Sequence, residues 1–291
     1  MRDISAANLE AFTQRLGTMR PKLHRYCARM TGSAVDGEDV VQDAMIKALK
    51  AFPGEAEIAN VEAWVFRIAH NTALDLLRRK SRREVWLSDG GADDIADPHA
   101  DTEHRVAVAA SLRSFMHLPA AQRAAVILMD VLGYSLQEIA VVLDVSVASV
   151  KASLHRGRIA LRDLGGDSPP MQPEMSAIER QQLSAYVERF NAHDFDAIRA
   201  LLAADVRLDL VNRSRADGPE KVGRYFSNYA QRTDWRLALG MADGRPAIVV
   251  HEGDTPAYFV MIEWGGGQIV HITDFRYARY AMDSVEIVML A

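Results

Sequence analysis

The sequence predicts a multidomain chain: two all-α segments followed by an α+β segment whose helices precede a curved antiparallel sheet. Three observations carry this. Residues 1 to about 86 read as helices from their apolar spacing, and residues from about 104 to 164 do so again. Two breaker-rich stretches, 87–103 and 165–170, interrupt that pattern. Beyond the second, helical spacing gives way to short alternating runs bounded by turn residues. A chain of 291 residues has room for two ordinary domains or three small ones.

Composition narrows the class. Apolar residues make up 49% and charged residues 25%, as in packed globular chains rather than disordered ones. No apolar run approaches the ~20 residues of a membrane span, and Met1–Ser5 carries no basic segment leading into an apolar core. A single cysteine, Cys27, excludes an internal disulfide framework and fits a reducing compartment, so a cytoplasmic location is expected. The net charge of −5 hides clustering: Arg78, Arg79, Lys80, Arg82 and Arg83 place five bases in six positions. Phosphate binding needs such a local patch and not a basic total.

The first amphipathic element spans Asp36–Phe52. Val40, Val41, Ala44, Ala48 and Leu49 point inward, and Asp39, Gln42, Asp43, Lys47 and Lys50 point outward. Asn60 then stands as an N-cap, with Glu62 near the positive helix end. It opens the run Trp64–Arg83, whose buried stripe is Trp64, Val65, Ile68, Ala69, Thr72, Ala73, Leu76 and Leu77. Arg67, His70, Asn71, Leu74 and Arg78 are expected on the opposite side. From Glu84 to Glu103 there are seven acids and no Lys or Arg, which predicts an extended, self-repelling linker.

The most specific signal is Ser135–Arg162. Leu136, Ile139, Ala140 and Leu143 form one face of a short helix, Asp144-Val145-Ser146 turns the chain, and Val147, Val150 and Leu154 form the next stripe. This is helix-turn-helix spacing, in which the second helix enters the major groove. Its outward positions are Ser149, Lys151, His155, Arg156 and Arg158, all donors to phosphates or base edges. A plain helical hairpin with a solvated basic face is the alternative.

After Gly165–Pro170, helices are expected at about 176–192, 195–203 and 219–230. Strands are expected at Val206–Val211, Trp235–Leu239, Ala247–His251, Ala257–Trp264 and Gln268–Tyr277. Gly265–Gly267 reads as a hairpin loop. Proton-transfer chemistry would need a carboxylate or histidine in an apolar pocket. Asp209, His251, Glu263, His271 and Asp274 are the residues to consider, but no shared face is evident, and no catalytic residue is assigned. His193, His251 and His271 show no metal-ligand spacing and no CxxC exists, so neither metal nor cofactor is expected.

In this order, the motifs resemble extracytoplasmic-function sigma factors of the sigma-70 class, the promoter-reading subunits of RNA polymerase. Glu38–Asp43 is similar to the family's helix that docks on the clamp helices of the polymerase core, implying Asp39, Gln42 and Asp43 as core-binding residues. Trp64–Asn71, through Asp75 to Arg79, is similar to the helix that captures the melted −10 element, implying Arg67, His70, Asn71, Arg78 and Arg79. Leu118–Arg123 with Val150–Arg158 is similar to the −35 reader, implying Ser149, Lys151, His155, Arg156 and Arg158. The departures are Asp144 where Gly is usual, Ala152 and Ser153 for Ser and Arg, and His70 where Arg is frequent. Asp tolerates a left-handed turn.

Residues 187–206 resemble the opening of SnoaL-like domains, cone-shaped folds that house cyclases and isomerases. The resemblances imply region 2 over 1–86, the acidic linker over 87–106, region 4 over 107–165, a Gly/Pro tether over 166–176 and a SnoaL-like domain over 177–291. They imply a non-enzymatic subunit whose partners are the polymerase core and promoter DNA, with no membrane, and a cone that acts in cis and could hold an unknown small ligand. Two alternatives stay open at this point. One is a one-component helix-turn-helix regulator with a sensing domain, in which residues 36–83 would have no purpose. The other is a SnoaL-like cyclase or isomerase with an accessory DNA-binding part.

Overall fold

The computed structural model describes residues 6–52, 58–84, 112–164, 175–229 and 235–290. The acidic linker over 87–106 and the tether up to residue 174 lie outside the described residues, as do the side chains of Arg82 and Arg83. The chain divides into two compact units, Met1–Pro169 and Pro170–Ala291.

The first unit is helical. Helices α1 (Ala6–Thr31) and α2 (Ala34–Ala51) form a hairpin whose second arm starts where the Ser33 hydroxyl accepts the Asp36 amide. The helices approach backbone to backbone: a Cβ on Gly37 would lie 2.5 Å from the Ala28 amide nitrogen. Helix α3 (Val61–Glu84) follows, with Asn60 capping the Ala63 amide at 3.0 Å as expected. Helices α4 (Leu112–Met116), α5 (Ala120–Val126, continued by a π-turn over Ile127–Val131), α6 (Leu136–Leu143) and α7 (Val147–Asp163) complete the unit. The segments on either side of residues 85–111 share one apolar core. Phe12, Leu23, Tyr26, Val65, Phe66 and Ala69 from α1 and α3 pack in one cluster with Phe115, Leu118, Val126, Tyr134 and Ile139.

The second unit is α+β. Helices α8 (Ala177–Asn191), α9 (Phe195–Arg199) and α10 (Pro219–Tyr229) cover one face of a seven-stranded sheet. Its strands are β1 (Leu202–Leu210), β2 (Ser214–Asp217), β3 (Trp235–Ala242), β4 (Arg245–Glu252), β5 (Thr255–Gly265), β6 (Gln268–Asp274) and β7 (Ile287–Met289), in the order β2-β1-β6-β5-β4-β3-β7. Strands β3 to β6 make the expected antiparallel meander, but β1 pairs with β6 in parallel, so the sheet is mixed. Alternation specifies faces and not partners, and the first strand closes onto the last strand of the meander. Strands β2 and β7 were not expected: one is a polar edge and the other is three residues long. On the edge of β3 left open by β7, the Asn191 amide pairs with both the N–H and the C=O of Leu237, each at 2.9 Å.

Candidate nucleic-acid interface

The helix-turn-helix forms as its local chemistry dictates. Ser135 and Glu138 make a capping box at the start of α6, and Asp144 ends it in the left-handed region at φ 58° and ψ 47°. Ser146 caps α7 by accepting the Ser149 amide at 3.1 Å. Helix α7 crosses α5 closely, because a Cβ on Gly157 would sit 2.7 Å from Val126 Cγ2. The small residue that permits the crossing is thus Gly157, a position the apolar spacing did not single out. Ser149, Lys151 and Arg156 are exposed and His155 is half-buried, giving a basic outer face.

Arg158 corrects the expectation. Its guanidinium donates to both carboxylate oxygens of the buried Asp130, at 2.6 and 2.8 Å, and braces α7 against the π-turn instead of pointing outward. Asp130 lies 28 residues upstream, so helical spacing within α7 could not reveal the pair.

Helix α3 is packed on more than one side. Val65, Phe66, Ala69, Thr72 and Ala73 are buried, while Asn71, Arg78 and Arg79 are exposed. Arg67 donates from Nη2 to the Val141 carbonyl of α6 at 2.6 Å. His70, expected outward, is buried, with Nδ1 2.7 Å from the Tyr26 hydroxyl. Burial pushes its imidazole down to about 4, so it is neutral at physiological pH. Lys80 of the basic cluster pairs with Asp36, whereas Arg78 and Arg79 bond to the side chain and backbone of Asp75. His70, Leu74, Leu77, Arg78 and Ser81 line one side of a groove of about 660 Å³, with Ala120 and Ala121 of α5 on the other.

On α2, Asp39, Gln42 and Asp43 are exposed together, and Ile46, 42% exposed, continues their helical face. An apolar residue on that face was not anticipated. Glu38, from the same motif, is buried and paired with Arg20.

In the cone, the five considered residues separate. His271 Nε2 lies 2.8 Å from Asp209 and its Nδ1 lies 3.4 Å from Glu263, and Arg215 holds Asp209 from the other side. This cluster is on the face turned away from the helices. Asp274, three positions along β6 from His271, points to the helix side, fully buried. It accepts from the Tyr225 and Tyr229 hydroxyls at 2.6 and 3.1 Å and from the Arg276 amide at 2.7 Å. Burial raises its carboxyl above the usual range. His251 joins neither group. Among the described residues no cluster of His, Cys, Asp or Glu is placed to hold a metal ion, and no helix is long and apolar enough to cross a membrane.

Comparison with known proteins agrees with this layout. Sigma-70 region 2 matches residues 17–83, Sigma-70 region 4 matches residues 112–161, and the SnoaL-like domain matches residues 183–280. The ECF RNA polymerase sigma factor SigG of Mycobacterium tuberculosis is 29% identical over 88% of this chain and 78% of its own. SigM of the same organism is 35% identical over 55% of this chain and 80% of its own. The solved SigJ structure covers 90% of this chain and 95% of its own, at 20% identity and a TM-score of 0.36, a likeness too loose to carry an argument. With region 2, region 4 and a SnoaL-like domain in sequence, and a sigma factor aligned over four-fifths of its length, the chain belongs to the ECF RNA polymerase sigma factors, which direct promoter-specific initiation of transcription.

Proposed function

We propose that the α2 face made by Asp39, Gln42, Asp43 and Ile46 docks on the clamp helices of the polymerase core. On α3, Arg67, Asn71, Arg78 and Arg79 hold the melted −10 strand. On α7, Ser149, Lys151, His155 and Arg156 read the −35 duplex. The observation that carries this reading is the outward, exposed basic face of α7 above a turn whose capping is complete. His70 and Arg158 are left out of the DNA contacts and assigned to the fold. The partners are then the polymerase core and promoter DNA, which places the protein in the cytoplasm.

The experiment is run-off transcription with purified core polymerase on the protein's own upstream region. Specific transcripts support the reading, and their absence on every template tried removes it. Lys151→Ala or Arg156→Ala should cost about 1–3 kcal/mol at one promoter position if the contact reads a base edge. A phosphate contact would instead weaken all sequences alike and lower the salt slope by about one.

The cone is proposed as a regulator in cis, since its covalent linkage to region 4 in one chain raises its effective concentration there. What supports a non-catalytic role is the separation of its polar groups: the Asp209–His271–Glu263 cluster and Asp274 occupy opposite faces. Truncation after Gly166 should change core binding or transcription. A truncated protein that matches the full chain in both assays across salt concentrations would make the cone an independent appendage.

A further inference from the structure

One end of the cone carries a continuous run of arginines laid on aromatic rings. Arg213, between β1 and β2, lies over the Tyr277 ring at 4.3 Å. Arg276 lies 4.2 Å from the centre of the Trp235 ring and 5.6 Å from the centres of Tyr229 and Tyr277. The Tyr229 hydroxyl is 3.2 Å from that of Tyr258, and Arg279 stands 5.8 Å from the Tyr258 ring. The β1–β2 hairpin, the segment after β6, the end of α10 and the first residues of β3 and β5 thus meet in one patch. Asn212 holds the hairpin to it: the residue takes a left-handed backbone at φ 64°, and its Nδ2 donates to the Tyr277 carbonyl at 3.2 Å.

These cations are not equally committed. Arg279 is spent on Glu252, whose carboxylate oxygens lie 3.1 and 2.5 Å from its two terminal nitrogens. The Arg213 and Arg276 guanidiniums make ring contacts and, among the described residues, no hydrogen bond or ion pair. Asp274 attracts Arg276 through space, but its oxygens are taken by Tyr225, Tyr229 and the Arg276 amide. A guanidinium stacked on a ring turns its face to the ring and keeps its in-plane N–H groups for another acceptor. Arg213 is exposed and Arg276 half-buried, so both forks are open to solvent. Planar forks of this kind fit phosphate oxygens in pairs.

Resting on the sigma-factor reading above, we propose that the cone is a third DNA contact, in which Arg213 and Arg276 hold backbone phosphates of the duplex flanking the −35 element. The chain brings that duplex within reach. Helix α7 ends at Asp163 and α8 starts at Ala177, 14 positions later. Fully extended, that stretch spans at most about 50 Å, or about 15 base pairs at about 3.4 Å each. Flanking phosphates are therefore presented at high effective concentration whenever α7 occupies its element. The net charge of −5 is no obstacle, because phosphate binding needs local cations and not a basic total. Contacts confined to phosphates fix position and carry no sequence information.

The test uses the full chain and the double variant Arg213→Ala/Arg276→Ala. Two duplexes are titrated: a short one carrying only the −35 sequence of the promoter mapped by run-off transcription, and a long one with about 15 arbitrary base pairs added at each end. On the long duplex, the slope of log affinity against log salt should be steeper for wild type by about two, so its advantage shrinks about tenfold between about 50 and 200 mM salt. On the short duplex the two proteins should bind alike. Equal slopes on the long duplex, with both proteins binding the short one, would overturn the cone contact and leave the sigma reading standing. So would a variant that binds both duplexes more tightly than wild type, since the patch would then belong to an acidic segment of protein. A wild-type chain that binds no −35 duplex at low salt would overturn that reading, and the cone contact with it. Because loss of Arg276 uncovers Trp235, Arg213→Glu alone, at an exposed position, is held to the same criteria with a slope difference of at least about one.

Discussion

In the helical unit, buried or half-buried charged side chains bridge separate helices: Arg20 to Glu38, Lys80 to Asp36, Arg158 to Asp130, and Arg123 to the Met30 carbonyl. In the cone, the fully buried acid Asp274 is surrounded by neutral phenols, and the charge pairs Arg215–Asp209, Arg224–Glu220 and Arg279–Glu252 lie at or near the surface. The difference follows from backbone chemistry. A sheet with helices on one face satisfies its peptide groups internally and closes its core with aromatics. Where helices pack side by side, a carboxylate or a helix-end carbonyl taken into the contact needs a donor from another helix, and long cationic side chains supply it.

Four outcomes would break or sharpen that contrast. The largest effect is expected from Arg158→Ala, which strands the Asp130 carboxylate in the core. A loss of about 3–5 kcal/mol is expected in the unfolding transition of the helical unit, read by urea titration, with the cone transition unmoved. Equal loss in both transitions would mean that the units are not energetically separate.

The second outcome concerns His70. Its folded-state pKa is depressed from 6.5 to about 4, so the unfolded chain protonates first as pH falls. Stability should therefore be intact above pH 6.5 and decline progressively towards pH 4, at about 1.4 kcal/mol per pH unit, or on the order of 3 kcal/mol in all. The measurement is the difference between wild type and His70→Gln over that window. A variant with the same slope as wild type would show that His70 is not the buried neutral base described.

Asp274→Ala should act only in the cone. It removes one acceptor from the Tyr225 and Tyr229 hydroxyls, which still reach each other and Tyr258, and takes the carboxylate from the Arg276 amide, at a cost of about 2 kcal/mol in that transition. The smallest effect on stability belongs to charge reversal at Asp39 and Asp43. The fold should shift by no more than about 0.5 kcal/mol, while co-purification with core polymerase is lost. Retained co-purification would remove α2 as the docking face.

Much of the fold was legible locally. Asn60 marks a helix start that the structure reproduces, and Asp144 adopts the left-handed turn expected of it. The exposed trio on α2 and the outer face of α7 were also readable, because amphipathic spacing tells which residues leave the core. His70 and Arg158 were misread for one reason. Spacing reveals the main apolar stripe of a helix, but α3 is covered on a second side by α6 and α7 packs on the π-turn, so residues opposite the stripe are not thereby exposed. Likewise, Asp209 and His271 read as strand residues of unknown face until the parallel pairing of β1 with β6 placed them side by side.

The sequence by itself determined where α3 starts, where the helix-turn-helix turns, and that an α+β domain follows two helical segments, although the helix expected at about 195–203 ends at Arg199 and strand β1 begins at Leu202. These depend on bonds spanning three or four residues and on periodicity within one element. Only the tertiary structure decided that Arg158 braces Asp130, that Tyr134 closes on Glu62, that Asp274 lies among tyrosines, and that β1 runs parallel to β6. Each of those joins residues 28 to 72 positions apart, and a polar side chain carries no local mark of whether its partner will be water or a distant group on another element.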